Sequence, residues 1–211
     1  LWTSFLMMII NAVMGLVTAY VLVRYSFPGK QLLNAIVDLP LAIPTLVTGV
    51  MLVMLYGPQE TLGRFLSEEI GLQVIFASPG IVVALLFISY PFVVRAVQPV
   101  LQDLDQSQER AAATLGASSW RTFRKVVLPA LVLPIVSGSL LAFSRAVGEF
   151  GAVVIVAGNI PLKTQTAAVY VLGSVESENR LGASAVSILL IAISLLVLLL
   201  ANGLQKLWGS R

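Results

Sequence analysis

Asp103-Leu-Asp-Gln-Ser-Gln-Glu-Arg-Ala-Ala-Ala-Thr-Leu-Gly116, running on to Val126-Val-Leu-Pro129, is a charged, helix-prone insert between two long apolar stretches. A chain that only faced lipid would keep such a connection short. This one lengthens it with Ala, Arg and Glu, which reads as a docking surface for a soluble partner. Asp105 with Gln108 three residues on has the form of a capping box, so a helix is predicted to start near Gln106. Good helix formers fill residues 109–115, and Gly116 is a natural left-handed stop. Ser118 or Ser119 can cap a second helix over 120–127, which Pro129 separates from the next apolar stretch. That second helix has an aromatic handle (Trp120, Phe123) and a basic face (Arg121, Arg124, Lys125). By composition alone it fits anionic lipid headgroups equally well.

Around the insert, the 211-residue chain is 58% hydrophobic and only 11% charged, with mean hydropathy +0.95. Soluble domains carry about 25% charged residues, so the composition points to an all-α integral membrane protein. Crossing a hydrocarbon core takes about 20 apolar residues. Five spans are predicted: 4–23, ended by Arg24 and the turn Phe27-Pro28-Gly29-Lys30; 32–56, broken by Pro40 and Pro44; 79–97; 130–156; and 183–204, ending in Gln205-Lys206-Leu-Trp208 and Arg211. Leu62, Phe65, Leu66 and Ile70 at helical spacing predict a short interfacial helix within 59–72. Residues 158–181 are too short and too polar to cross, and read as a re-entrant or surface-lying segment.

The Lys and Arg residues set the orientation. Arg24, Lys30, Arg95, Arg110, Arg121, Arg124, Lys125, Lys206 and Arg211 fall on one set of connections, and Arg64, Lys163 and Arg180 on the other. Nine against three puts the insert and the C-terminus in the cytoplasm and Leu1 outside. A chain that opens outside, without Met or a charged leader, is expected to lack a preceding helix.

Four polar positions at membrane depth are candidates for a translocation path. Arg145 and Glu149, four apart on one predicted helical face, would be costly there unless they face a bundle interior or water. They either line the path or form a structural ion pair. Pro40 and Pro44 break the second span, and a broken helix can aim a half-helix N-terminus at an anion. Thr45 and Thr48 follow on that half-helix with hydroxyls an anion could meet. Asp38 is read as a structural partner of Arg24, Lys30 or Arg95, and Gly138 between Ser137 and Ser139 as a close-packing point.

The chain has no Cys and no His, which removes thiolate, imidazole and zinc chemistry. It has no Gly-x-x-x-x-Gly-Lys-Ser/Thr loop, so any ATP must be bound elsewhere. An intramembrane enzyme would need a Ser-Lys pair or paired carboxylates. No span contains Lys, and Glu149 is the one carboxylate deep in a span, so the enzyme reading is weak. A membrane anchor or receptor docking some other soluble protein stays open.

Ala111-Ala112, then Gly116, then Val126-x-Leu128-Pro129 resembles the EAA loop of ABC importer permeases. In those permeases the loop forms a coupling helix seated on a cytoplasmic ATPase. The acidic position of that pattern is Arg110 here, with Glu109 one residue earlier. Arg24-Tyr-Ser-Phe-Pro-Gly-Lys30, Asp38-Leu-Pro-Leu-Ala-Ile-Pro-Thr45, Pro91-Phe-Val-Val-Arg-Ala-Val-Gln-Pro99 and Arg145-Ala-Val-Gly-Glu-Phe-Gly-Ala152 with Ala157-Gly-Asn-Ile-Pro161 resemble sulfate/thiosulfate permeases of the CysT type. Molybdate and tungstate permeases share several of these pieces.

The resemblance implies a type I (MetI-like) transmembrane core, one permease domain over 1–211 with a coupling loop at about 103–129, and the family's first helix missing. It implies docking by Glu109, Arg110, Ala111, Ala112, Gly116, Leu128 and Pro129. It also implies an inner-membrane location, two ATP-binding subunits, a second and related permease, and an extracytoplasmic sulfate-binding protein. The chain itself is expected to be non-catalytic and cofactor-free, with membrane lipid but no nucleic acid as partner.

Overall fold

A computed structural model of the chain describes the backbone of residues 1–209 and the side chains of residues 1–204. Gln205, Lys206, Trp208 and Arg211, expected at the end of the fifth span, lie outside the described side chains. The described chain is helical throughout: α1 (Trp2–Arg24), α2 (Lys30–Ala42), α3 (Thr45–Tyr56), α4 (Thr61–Glu69), α5 (Ser78–Asp103), α6 (Gln106–Thr114), α7 (Ser119–Thr122), a π-helical turn (Phe123–Val127), α8 (Leu128–Val147), α9 (Gly151–Ala157), α10 (Ala167–Glu176) and α11 (Arg180–Gly209). Helices α1 and α5, the continuous Ser119–Val147 rod and α11 are each long and apolar enough to cross a membrane, and α2 with α3 makes a fifth where the bent pair is counted as one span.

The second span is not a kinked rod. The chain bends by 113° between its two halves, and the break falls at Ile43-Pro44 rather than at Pro40, which is buried inside α2. A proline pushes the residue before it out of the helical region. Ile43 is accordingly extended (φ −88°, ψ 129°), and Pro44 starts α3 with its ring at the position where no N–H is needed.

Helix α5 is the axis of the bundle. Its apolar window is 61% buried, whereas that of α11 is 6% buried, so α11 lies at the edge with most of its surface left for lipid. Along α1, Asn11 meets Ser89 and Gly15 meets Val93, so α1 and α5 run parallel. Helix α8 runs the other way, with Leu131 clustered near Leu101 and Ala146 near Leu85. Apolar burial contributes little to helix association inside lipid, so close contact between small residues does the work. A Cβ on Gly15 would sit 2.8 Å from Val93 Cβ, and one on Gly138 would sit 2.8 Å from Ala96 Cβ and 3.0 Å from Val93 Cα. Gly138 is thus the close-packing point expected from its serine neighbours.

The fourth span ends earlier than its hydropathy implies. Helix α8 stops at Val147; residues 148–150 form a turn, and α9 follows, packed on α3 and α5. Between α9 and α11, which already begins at Arg180, the one helix has 10 residues, too short to cross. Residues 158–166 form a turn closed by Thr164, whose hydroxyl donates to Ala157 O (2.6 Å) and accepts from Ile160 N (3.2 Å), followed by α10. The short helix predicted within 59–72 is α4.

Candidate functional site: a helical elbow and a polar junction

Helices α6 and α7 form an elbow between α5 and α8. Asp105 caps α6 through Ser107, accepting from its backbone N–H (2.8 Å) and its hydroxyl (2.5 Å), and not through the reciprocal Gln108 box. These two bonds, the hydroxyl first, hold the Asp105 carboxyl below the usual carboxylate range. At the far end Gly116 N donates to Ala113 O and Ala117 N to Ala112 O, both at 3.0 Å. That is the Schellman pattern, and it requires the left-handed Gly116 (φ 79°). Ser118 then caps α7, its hydroxyl accepting from Arg121 N.

The expected break at Pro129 does not occur. The chain passes from α7 to α8 through the π-helical turn, where Leu128 N donates to Phe123 O. The wider turn shifts the hydrogen-bond register just before a residue that has no N–H to give, so Pro129 sits in the first turn of α8 without ending the helix.

No residue of α6 is buried. Arg110, Ala111 and Gly116 are exposed and Ala112 half-buried. Leu115 and Trp120 are 88% and 68% exposed. Glu109 differs: its carboxylate accepts from Arg24 Nη2 at 2.5 Å, with side chains only 20% and 9% exposed. Leu128 and Pro129 stand in the first turn of α8, Leu128 half-buried and Pro129 exposed.

At the other end lies a polar junction. Glu149 is not on the helical face of Arg145 within one span; it sits in the turn between α8 and α9. There its Oε2 accepts from Arg145 Nη1 (2.7 Å) and its Oε1 from Ala152 N (3.1 Å). One carboxylate therefore neutralises the cation at the end of α8 and satisfies a free N–H at the start of α9. The Glu149 side chain is 2% exposed and that of Arg145 38%. Thr45 Oγ1 rests directly against Gly151, and Gly49 against Ala152 and Ile155. Thr48 is buried, and its hydroxyl has no partner among the described residues. The fold thus brings Thr45 against Gly151, two residues beyond Glu149, and Arg145 to Glu149 itself, while Thr48 lies one turn further along α3.

A second network takes up Arg95, which lies inside α5 and not in a connection. Its five N–H donors all find acceptors: Asp38 Oδ1 and Oδ2, Asn34 Oδ1 and O, and Gln98 Oε1. Of the three partners considered for Asp38, the structure selects Arg95, while Arg24 goes to Glu109. Both pairings join residues more than fifty positions apart, which spacing alone does not reveal.

Residues 11–211 match the family model of the "Binding-protein-dependent transport system inner membrane component". Among similar proteins, a probable sulfate transport system permease protein cysT from Chlorokybus atmophyticus is 47% identical over 98% of this chain and 72% of its own length. The sulfate transport system permease protein CysT of Escherichia coli (strain K12) is 44% identical over 100% of this chain and 76% of its own. Two solved structures share the fold: a chain of a bacterial alginate ABC transporter (TM-score 0.74, 17% identity, 97% of this chain and 75% of that one), and one of the MetNI methionine ABC transporter in an inward-facing form (TM-score 0.65, 19% identity, 97% and 92%). With four to five apolar spans and an exposed elbow of small residues between α5 and α8, the chain belongs to the binding-protein-dependent transport system inner membrane components, as a CysT-like ABC permease with the type I importer fold.

Proposed function

We propose that residues 1–211 form the membrane-spanning permease unit of an ATP-driven importer for sulfate and thiosulfate. The anion arrives from an extracytoplasmic binding protein and crosses by alternating access. A separate pair of ATPase subunits drives the cycle, and a second, related permease chain completes the path. The observation that carries this reading is the elbow: a helix capped at both ends, with no buried residue, is fully formed yet leaves most of its surface uncovered by its own chain. Its small side chains admit close approach by a partner. Sulfate as cargo is supported by the similarity to permeases named for it at 42–47% identity. The Lys and Arg distribution supports a cytoplasmic elbow and C-terminus in the inner membrane, because Arg24, Lys30, Arg110, Arg121, Arg124 and Lys125 gather at the elbow end of the bundle.

ATP binding would draw two such elbows together and open the outer side; hydrolysis would reverse this, the ligand shifting a two-state equilibrium. Arg145 would offer positive potential to the anion, Glu149 would keep it from being held too tightly, and Thr45 and Thr48 would supply hydroxyls. The test is co-purification with candidate ATPases, followed by ATP-dependent uptake of labelled sulfate competed by thiosulfate, molybdate and tungstate. Failure to associate with any ATPase, or undiminished transport after deletion of residues 109–116, overturns the importer reading. Stronger competition by molybdate than by thiosulfate overturns the choice of cargo.

A further inference from the structure

The geometry points to α1 as the strut that carries elbow motion to the polar junction, with Arg24 and Glu109 as the positioning pair that fixes α6 to it. This rests on the importer reading above. The backbone joins α6 to its neighbours through short joints at Leu104-Asp105 and at residues 115–118, either of which would absorb a push delivered to its surface. Among the described residues, Glu109 is the one α6 side chain hydrogen-bonded to another helix.

Both charges are well placed. Arg24 ends α1 and Glu109 lies in the first turn of α6, so each suits the dipole of its own helix. The pair is mostly shielded from solvent, and Arg24 Nε is buried without a partner. One turn back on α1, Tyr20 packs edge-on against Phe123 (5.5 Å, 87°), which stacks on Trp120 (5.6 Å, 22°). The α1 end therefore grips both limbs of the elbow, α6 by charge and the π-helical turn by aromatic contact.

The opposite end of α1 reaches the junction. Leu1, Thr3 and Ser4 share a small cavity with Ala146, Val147 and Glu149. Between the two ends, Gly15 leaves no slack against Val93. One rigid helix thus touches the elbow and the Arg145–Glu149 turn. With its acidic group turned inward at 109, the chain leaves the neighbouring Arg110 exposed on the partner side.

The experiment uses the complete importer in proteoliposomes, with binding protein, and measures sulfate imported per ATP hydrolysed. Arg24→Met, which leaves α6 itself unaltered, is expected to retain ATPase association but to lower that ratio severalfold; Glu109→Gln lowers it likewise, and the exchange Arg24→Glu with Glu109→Arg restores much of it. In a second arm, Arg24→Cys with Glu109→Cys, introduced into a chain that has no other cysteine, is bridged by a short bifunctional thiol reagent. Bridging is expected to preserve transport, because α1 and α6 move as one body. A wild-type ratio in the single variants, or loss of transport on bridging, overturns the strut. Absence of ATPase binding in the unaltered protein would instead defeat the importer reading.

Discussion

Arg95 donates to both carboxylate oxygens of Asp38, at 2.7 and 2.5 Å, and thereby ties α5 to the first half of the broken span. The remaining guanidinium hydrogens go to Asn34 and Gln98, so no donor is left for an anion. A structural role follows. Asp38→Asn removes one charge-assisted partner from a group that is partly exposed, and the expected loss is about 1–2 kcal/mol of stability. The apparent Kd for sulfate in the assembled importer should stay at its wild-type value. Thermal unfolding in detergent and anion binding, measured on one preparation, separate the two; a large change in Kd at unchanged stability would assign Arg95 to the path.

Gly116 carries two separable demands, a left-handed backbone and open space beside it. A Cβ there would meet nothing within 4 Å. Gly116→Ala therefore costs only backbone strain, about 1 kcal/mol, with no clash inside the chain. Gly116→Trp adds bulk to the surface offered to the partner and is expected to uncouple ATP hydrolysis from uptake while membrane insertion persists. Equal coupling in the Trp and Ala variants would show that nothing docks against this position.

Thr48 offers a cleaner distinction than most polar residues at this depth. Its hydroxyl is buried and unpartnered, so the isosteric Thr48→Val removes an uncompensated polar group. Stability should be unchanged or raised by up to about 1 kcal/mol. Sulfate uptake should fall if the hydroxyl meets the anion when the path opens. Uptake at the wild-type rate would leave Thr48 as packing between α3 and its neighbours.

The parts of this architecture that are local were legible in the sequence. Asp105 and Gly116 announce both ends of α6 because capping is decided within a few residues, and Ser118 does the same for α7. The spans followed from hydropathy. What escaped was decided by tertiary partners or by finer backbone detail. The apolar run over 130–156 conceals the turn at 148–150, since Glu149 is tolerated there only once Arg145 and Ala152 N are in reach. Pro129 looked like a terminator because the π-helical turn before it has no sequence signature. The 113° bend follows Pro44 and its effect on Ile43, while Pro40 is absorbed inside α2. The Arg24–Glu109 contact spans 85 positions, and only the parallel packing of α1 on α5 brings it about.

Arg145 and Glu149 remain the sharpest test of where structure ends and transport begins. Arg145→Ala strands a carboxylate that is 2% exposed with only the Ala152 N–H for company. Breaking a fully buried pair costs about 3–5 kcal/mol; because Arg145 is partly exposed, about 2–3 kcal/mol is expected here. That loss would depress uptake whether or not Arg145 touches the anion, so the single variant decides nothing. Pairing it with Glu149→Gln removes the stranded charge and keeps an oxygen to accept from Ala152 N. The double variant, Arg145→Ala with Glu149→Gln, is therefore expected to recover most of the stability. If Arg145 supplies positive potential to the path, sulfate uptake by this stable double variant stays low and weak anion competition disappears with it. Uptake that recovers in step with the unfolding temperature would make the pair a clasp between α8 and α9 and nothing more.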